Sequence, residues 1–305
     1  VGTGVGVSAV QRMRDEYLEN RGRAEHSTNA YLTGTNAAYK SIEDVFAEPS
    51  DTALAAQMRD MWGSWNDVAN NPQLSAPRSA LIQQSSTVAD QMNAAQDALS
   101  RQWSQNRNQM AAYVDEVNGT ASSIAQLNDS IIKANASDLT VNELEDRRDL
   151  LAMKLSELTG ASTAKRENGG MDVYIGGSNL VSGTFVREVT CVGVERLVDQ
   201  LDVTDPLNLA DPLFVPAGAG VKLVWKDDVN PADIDKTAIQ AGGTMGAALD
   251  TMTAIIPGLS RDLTSIENKM IDKVNELHRA GHAKGIAAAE PNDPADPTDD
   301  AVAGV

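Results

Sequence analysis

Residues 151–177 read LAMKLSELTGASTAKRENGGMDVYIGG, and the spacing of apolar residues changes within this stretch. Up to Leu158 the apolar residues recur every three or four positions, which is typical of one face of a helix. Gly160 stands where helices commonly end, and from Met171 to Ile175 apolar residues alternate with polar ones, as in a strand. The stretch therefore predicts that a helical domain gives way to a β-rich one near residue 162.

Helical spacing dominates the chain before this point. We predict a first helix from Ser8 to about Ile42, opened by a capping box. A second helix follows Pro49 and is broken before Pro72. A fourth helix should begin with a second capping box, in which Thr140 and Glu143 have the required spacing.

Between the second and fourth helices lies a much longer apolar stripe. Its residues recur at intervals of three and four from Leu81 to Ile131, which predicts a rod of roughly 75 Å at 1.5 Å per residue. Only one face is apolar, so partner helices must cover it. We expect that cover from the helices at 141–158 and 259–277.

After Ser162 the chain changes character until about Ile239. Turn glycines separate short alternating runs, and TDPLNLADPLFVPAGAG (204–220) is predicted to be a long loop. Helical spacing returns from Ala241, with a kink or break expected at Pro257. These runs predict a small, mainly antiparallel β domain inserted into a helical one.

The predicted fold class is α+β: a discontinuous, elongated α-helical bundle with long coiled-coil-like helices and an inserted small β-rich domain. Residues 1–161 would form the first part of the bundle and residues 162–239 the β-rich outer domain. Residues 240–285 would return to the bundle. Residues 286–305 are rich in Pro and Asp, which predicts a disordered tail or the start of a missing segment.

The net charge of the chain limits the kinds of partner that it can bind. The 305 residues include 43 acidic and 25 basic ones, a net charge of −18 that phosphate backbones and anionic lipid surfaces would repel. No apolar run approaches membrane-spanning length, and no segment resembles a cleaved signal peptide. We therefore predict neither nucleic acid nor a membrane as a partner, and secretion only by a route without a cleaved signal.

Histidine and cysteine offer little chemistry. His278 and His282 have the i, i+4 spacing of a zinc-binding pair, but Gly281 is predicted to end the helix between them, and the HExxH glutamate is missing. His26 is remote in sequence, and Cys191 reads as a packed thiol in a strand. We predict no catalytic, cofactor-binding or metal-binding residues and no cofactor.

Two polar motifs are likewise predicted to have structural rather than catalytic or ligand-binding roles. The cluster DRRD, residues 146–149, is predicted to form ion pairs on or between helices. GGSNLVSG lacks the Lys-Ser/Thr of a phosphate-binding loop and is predicted to contain hairpin turns. The tryptophans Trp62, Trp65 and Trp103 are predicted to pack within the bundle.

One feature of the long helix keeps an alternative open. Between Gln102 and Gln109 the stripe is polar apart from Trp103. A secreted helical sensor or adaptor that binds a small ligand or a protein partner between its helices would show such an interruption. A metal-dependent secreted enzyme is the third hypothesis, and it requires bound metal.

Several stretches carry a more specific signal. They are GVGVSAVQRMRDEYLENRGR (4–23), MWGSWNDVANNPQLSAPRSALI (61–82), NELEDRRDLLAMKLSELTGAS (142–162), MDVYIGGSNLVSG (171–183), GGTMGAALD (242–250) and NELHRAGHAKG (275–285). In this order they resemble the flagellar hook-associated protein 1 family, the first of two junction proteins between the bacterial hook and filament. Thr251 and Met252 depart from the family pattern, as does the loop at 202–220.

The resemblance implies a structural subunit, not an enzyme, that joins the flexible hook to the rigid filament. It implies an extracellular location in the bacterial flagellum after export without a cleaved signal peptide. The implied partners are the flagellar hook protein, the second hook–filament junction protein, further copies in the full-length assembly, and an export chaperone acting through a missing C-terminal segment. The family's terminal assembly helices are absent here, so the chain resembles a core fragment. Its helical rod would form an inner layer, its β insertion the outer surface, and His278 a packing residue.

Overall fold

A computed structural model describes residues 16–46, 50–137, 139–204, 220–228 and 238–280. The helices are α1 (Glu16–Phe46), α2 (Leu54–Asn70), α3 (Ser75–Asn135), α4 (Asn142–Thr159), α5 (Leu197–Thr204), α6 (Gly243–Asp250) and α7 (Ile256–Ala280). The strands are β1 (Ser162–Lys165), β2 (Met171–Ile175), β3 (Ser178–Ser182), β4 (Phe185–Val186), β5 (Val189–Val192) and β6 (Lys222–Trp225). The predicted fold class, α+β with long helices and a small antiparallel β region, is confirmed.

Several predictions fall outside the described residues. They concern the start of the first helix at Ser8, the loop that follows α5, the cap at Gly281, the ring of His282 and the tail at 286–305. The chain divides into two compact units at residue 261, and the second unit contains the rest of α7.

The long apolar stripe forms one unbroken helix. α3 contains 61 residues, which at 1.5 Å per residue is about 92 Å. Residues at heptad-like intervals along one side are buried, and they include Leu81, Val88, Met92, Leu99, Trp103, Met110, Val114, Val117, Ala121, Ile124 and Ile131. The helix therefore exceeds the predicted length, while its buried face agrees with the pattern.

The cover over α3 differs from the prediction. α2 packs along the first part of α3, where the Gln84 amide donates to both oxygens of Gln57, and α4 packs along the later part. Where α7 begins, Ser260 and Gln96 exchange two hydrogen bonds, at 2.8 and 3.1 Å. We had not expected α2 as a partner, although its own apolar face needs cover as much as that of α3.

The prediction for the start of α4 is wrong, and the prediction for its end is confirmed. The capping box is wrong: the N-cap is Val141, and no side chain caps the helix start. Acidic residues in the first turn, including Glu143, instead stabilise the helix start, because their negative charge lies near the positive end of the helix dipole. The predicted end is confirmed, because Gly160 has a left-handed φ of 73° and donates to the carbonyl of Ser156.

Of the kink or break expected at Pro257, the break does not occur. A π-helical turn, Thr251–Ile255, connects α6 directly to α7, and Pro257 lies in the first turn of α7. Proline has no N–H to donate to the preceding turn, and the wider π-turn just before it absorbs the irregularity without ending the helix.

The strands form two antiparallel groups. β1 to β4 make a four-stranded sheet in chain order, and β5 pairs with β6. Gly176 and Gly177 form the turn between β2 and β3 with φ of 55° and 80°, so the predicted hairpin turns are confirmed. α5 was missed, because its eight residues carry too short an apolar pattern to indicate a helix.

Helices that precede and follow the strands pack against each other. The N–H of Gly242 donates to the carbonyl of Thr159 at 2.7 Å, and α1 packs against both α4 and α6. At Gly34 a Cβ would lie 2.9 Å from the Cβ of Ala247, so α1 approaches α6 closely only because glycine stands there. Buried residues of these helices and of the strands form one continuous core.

Candidate functional site

The joint between helices and strands is built from buried polar side chains. Asn128 of α3 is fully buried. Its amide donates to the carbonyls of Met171 and Gly183 at 2.8 and 2.7 Å, and its oxygen accepts from the N–H of Met171 at 3.0 Å. One side chain therefore completes the backbone hydrogen bonding of two β segments.

Arg148 of α4 extends this joint. It is 1% exposed, and its Nη1 donates to Asn128 at 3.0 Å and to the carbonyl of Gly169 at 2.6 Å. Its distance to Glu145 is 3.9 Å, longer than either hydrogen bond. The DRRD cluster thus makes the predicted ion pair on its own helix, between Arg148 and Glu145. The buried link from Arg148 to the strand region is an additional role that the prediction did not include.

Asp172 of β2 adds a buried carboxylate to the same polar cluster. Although it lies in a strand that alternates in sequence, it is buried, because it accepts from the N–H of Gly183 at 2.8 Å and from Nε of Arg166 at 2.9 Å. The hydrogen bond that Arg166 donates to Asp172 raises the pKa of Arg166.

A second joint repeats the chemistry of the first. Asn118 of α3 donates to the carbonyl of Val189 and accepts from its N–H, both at 2.9 Å. Trp103 is buried as predicted, and its Nε1 donates to the carbonyl of Met252 at 2.9 Å. Trp62, by contrast, is 43% exposed, so the prediction that it packs within the bundle is wrong for that exposed part of the residue.

Two surface contacts hold α1 against its neighbours. His26 Nδ1 lies 3.0 Å from Oε1 of Glu157 on α4. The Tyr31 hydroxyl donates to Oδ2 of Asp250 at 2.6 Å, and this hydrogen bond raises the pKa of Tyr31. The contacts hold α1 in place at its exposed edge, where apolar packing contributes less.

A groove of about 480 Å³ lies between α1, α3 and α6. Small residues of α1, among them Gly34, Ala37 and Ser41, form one wall. The opposite wall carries amide side chains of α3: Gln102, Gln105, Asn106 and Gln109. The polar interruption in the long helix thus faces an open groove, which is the geometry that the sensor hypothesis anticipated.

Of the two candidate histidines, His278 and His282, only His278 lies within the described residues. His278 is exposed in the last turn of α7. Among the described residues, histidine, cysteine, aspartate and glutamate form no group of three placed to hold a metal ion. Cys191 lies half-buried in β5, as predicted, and burial raises the pKa of its thiol.

Sequence reasoning missed the two asparagine joints. Asn118 and Asn128 lie within or beside an apolar stripe, and a polar residue there that needs a distant backbone partner leaves no local pattern. Within the described part of the chain, no helix has both the length and the apolar character needed to cross a membrane.

These features define a class of protein: a helical core joined to small β-sheets, whose buried polar groups serve packing. Residues 39–289 match the family described as flagellar hook-associated protein FlgK helical domain. The chain therefore belongs to the FlgK helical-domain family.

Individual relatives agree with this assignment. The chain is 31% identical over 195 residues to flagellar hook-associated protein 1 of Escherichia coli (strain K12), covering 63% of this chain and 36% of the relative. It is 28% identical over 170 residues to the protein of the same name from Bacillus subtilis (strain 168), covering 56% and 34%. The chain thus spans about a third of the length of these relatives.

A solved structure supports the fold. The flagellar hook junction protein FlgK from Burkholderia pseudomallei superimposes with a TM-score of 0.57 and 24% identity, over 78% of this chain and 39% of that one.

Proposed function

We propose that this chain is the helical core of a structural subunit of the bacterial flagellum, at the junction between hook and filament. The family match over residues 39–289 carries the proposal. The relatives are named flagellar hook-associated protein 1, and the chain corresponds to about a third of them. The role is structural rather than enzymatic.

The described geometry suits a part that bears mechanical load. α3 is long and continuous, and its first and later parts are each covered by another helix. Asn128 and Asn118 fix strands to this helix through five hydrogen bonds to main-chain atoms. Directional bonds of this kind resist sliding between helix and sheet better than apolar contact alone.

The proposal includes the division into segments. The bundle would comprise residues 1–161 and 240–285, with an outer β-rich domain at 162–239 and a tail at 286–305. The strands would then face outward from the junction while the helices form its inner layer.

The proposed partners follow from the same role. They are the flagellar hook protein, the second hook–filament junction protein, further copies of the subunit, and an export chaperone. The subunit would reach the extracellular flagellum without a cleaved signal peptide. Its net charge of −18 argues against nucleic acid or a membrane surface as partner.

Deletion of the reading frame in the source bacterium tests the proposal. Electron microscopy should show hooks without attached filaments, and motility in soft agar should be lost. Reintroduction of the full-length gene should restore both. A deletion strain that keeps its filaments and its motility would contradict the junction role and favour the sensor or adaptor alternative.

A further inference from the structure

The groove between α1, α3 and α6 has walls of contrasting chemistry. On α1, Gly34, Ala37 and Ser41 present almost no side chain, so a main chain can approach this wall closely. On α3, the amides lie at intervals of three and four along one helix face. The groove therefore offers a steric channel beside a row of hydrogen-bonding groups.

Those amides are available to a partner. Within the described part of the chain, four of them make no side-chain hydrogen bond: Gln102, Gln105, Asn106 and Gln109. Each displays two N–H donors and one carbonyl acceptor, and this set can pair with the N–H and C=O groups of a main chain.

The same helix already shows what such amides bind. Asn118 and Asn128 each bond to both the N–H and the carbonyl of one strand residue of this chain, Val189 and Met171 respectively. The groove amides lie about two and a half to seven turns before them on α3, and no strand among the described residues pairs with them. The chemistry therefore fits an extended polypeptide segment.

The charges that line the groove indicate which polypeptide can bind there. The chain carries 43 acidic residues, yet among the described residues none that lines the groove is acidic, and Arg101 is the one charged residue in that lining. A second copy of a chain with net charge −18 meets repulsion over most of this surface, and a lining without carboxylates is where it can approach. A carboxylate-bearing segment would also complement the guanidinium of Arg101.

We infer that the groove is a homotypic docking site that receives an extended segment of a second copy of this chain. This inference rests on the proposed function, since a junction subunit has identical neighbours, and it assigns that contact to one surface. Contact through the groove is transient in dilute solution, because repulsion between whole chains opposes it.

Site-directed photo-cross-linking tests the inference on the intact chain. A benzophenone amino acid replaces Gln105 in the groove, and a matched protein carries it at Gln126, which is exposed on α3 and does not line the groove. The chain is irradiated at about 200 µM, a concentration that populates contacts weaker than micromolar. About 0.5 M salt shortens the Debye length to below about 5 Å and should raise the yield.

We expect the probe at Gln105 to give at least about fivefold more covalent dimer than the probe at Gln126, a difference of about 1 kcal/mol in contact free energy. With the probe at Gln105, Gln102→Glu should lower the yield severalfold by adding a carboxylate to the groove, whereas Gln126→Glu should not. Ala37→Leu, which narrows the channel without adding charge, should lower it as well.

Several outcomes would overturn the inference. They are equal dimer yields from the two probes, no dimer from the probe at position 105, and a cross-link between two positions of the same chain. A cross-link from position 105 to a small molecule, saturating as the concentration of that molecule rises, would overturn it as well. Circular dichroism confirms that each variant is folded. Hook and filament attachment in the deletion strain is measured separately, so failure of the groove contact leaves the proposed function standing.

Discussion

Arg148 of α4 and Asn128 of α3 are joined by a hydrogen bond of 3.0 Å, and both side chains are buried. The contact orders the Asn128 amide so that its oxygen accepts while its nitrogen donates to the carbonyls of Met171 in β2 and of Gly183 in the turn after β3. The guanidinium carries no acceptor, so it fixes which way the amide is turned. Two helices and the sheet thus depend on one polar cluster.

Replacement of Asn128 by alanine should therefore destabilise the fold strongly. The change leaves the N–H and carbonyl of Met171 and part of the Arg148 guanidinium without their buried partner. Each such loss costs about 1–3 kcal/mol, so we expect a total of about 3–5 kcal/mol. Urea denaturation followed by circular dichroism measures it. Gln126→Ala on the same helix should change stability by less than about 0.5 kcal/mol, and a similar value for Asn128→Ala would contradict the role of the cluster.

Glycine-to-alanine changes should have opposite signs at two positions. Gly243 has φ of 56°, and a Cβ there would collide with the carbonyl group of Glu157. Gly119 lies in the middle of α3 with open space around it. We expect Gly243→Ala to cost more than about 1 kcal/mol and Gly119→Ala to stabilise by up to about 1 kcal/mol. Thermal unfolding of both variants checks the contrast, and loss of stability at Gly119 would show that its helix position is misjudged.

The thiol of Cys191 should be protected in the folded chain. Burial raises its pKa, so the folded state retains the proton at a pH where the unfolded state begins to lose it. Since the unfolded state then binds fewer protons, this group makes stability fall as pH rises above the ordinary thiol pKa. Alkylation at pH 8 should be slow in buffer and fast in denaturant.

The Cys191→Ala variant serves as the control for this pH effect. It should lose the part of the alkaline decline in stability that comes from the thiol. Equal alkylation rates for folded and unfolded chains would show that the thiol is accessible.

The sequence predicted those parts of the fold that repeat. Three-and-four spacing gave α3, and alternation with turn glycines gave the hairpin of β2 and β3. It failed where one contact decides the outcome: Thr140 has the right spacing for a cap, but the helix begins two residues later. Pro257 was expected to kink or break a helix, and a π-turn before it keeps the helix continuous.

The groove between α1, α3 and α6 could be predicted from the sequence only in part. The polar run from Gln102 to Gln109 was visible in the sequence, but the opposite wall comes from α1 and α6, which are distant along the chain. Asn118 and Asn128 had no signal at all, because their partners are backbone atoms of strands more than 40 residues away. Local patterns cannot report contacts of this range.

The isolated chain should be monomeric at micromolar concentration. Identical chains of net charge −18 repel each other over about 8 Å at physiological salt. A micromolar dimer needs about 8 kcal/mol of binding free energy, which one narrow groove does not supply against that repulsion. Light scattering at several concentrations should give the mass of one chain, 32.4 kDa. Higher salt should produce at most a weak, concentration-dependent rise, since screening removes repulsion without adding contacts. A stable oligomer at micromolar concentration would contradict this prediction and would show that the chain assembles by itself.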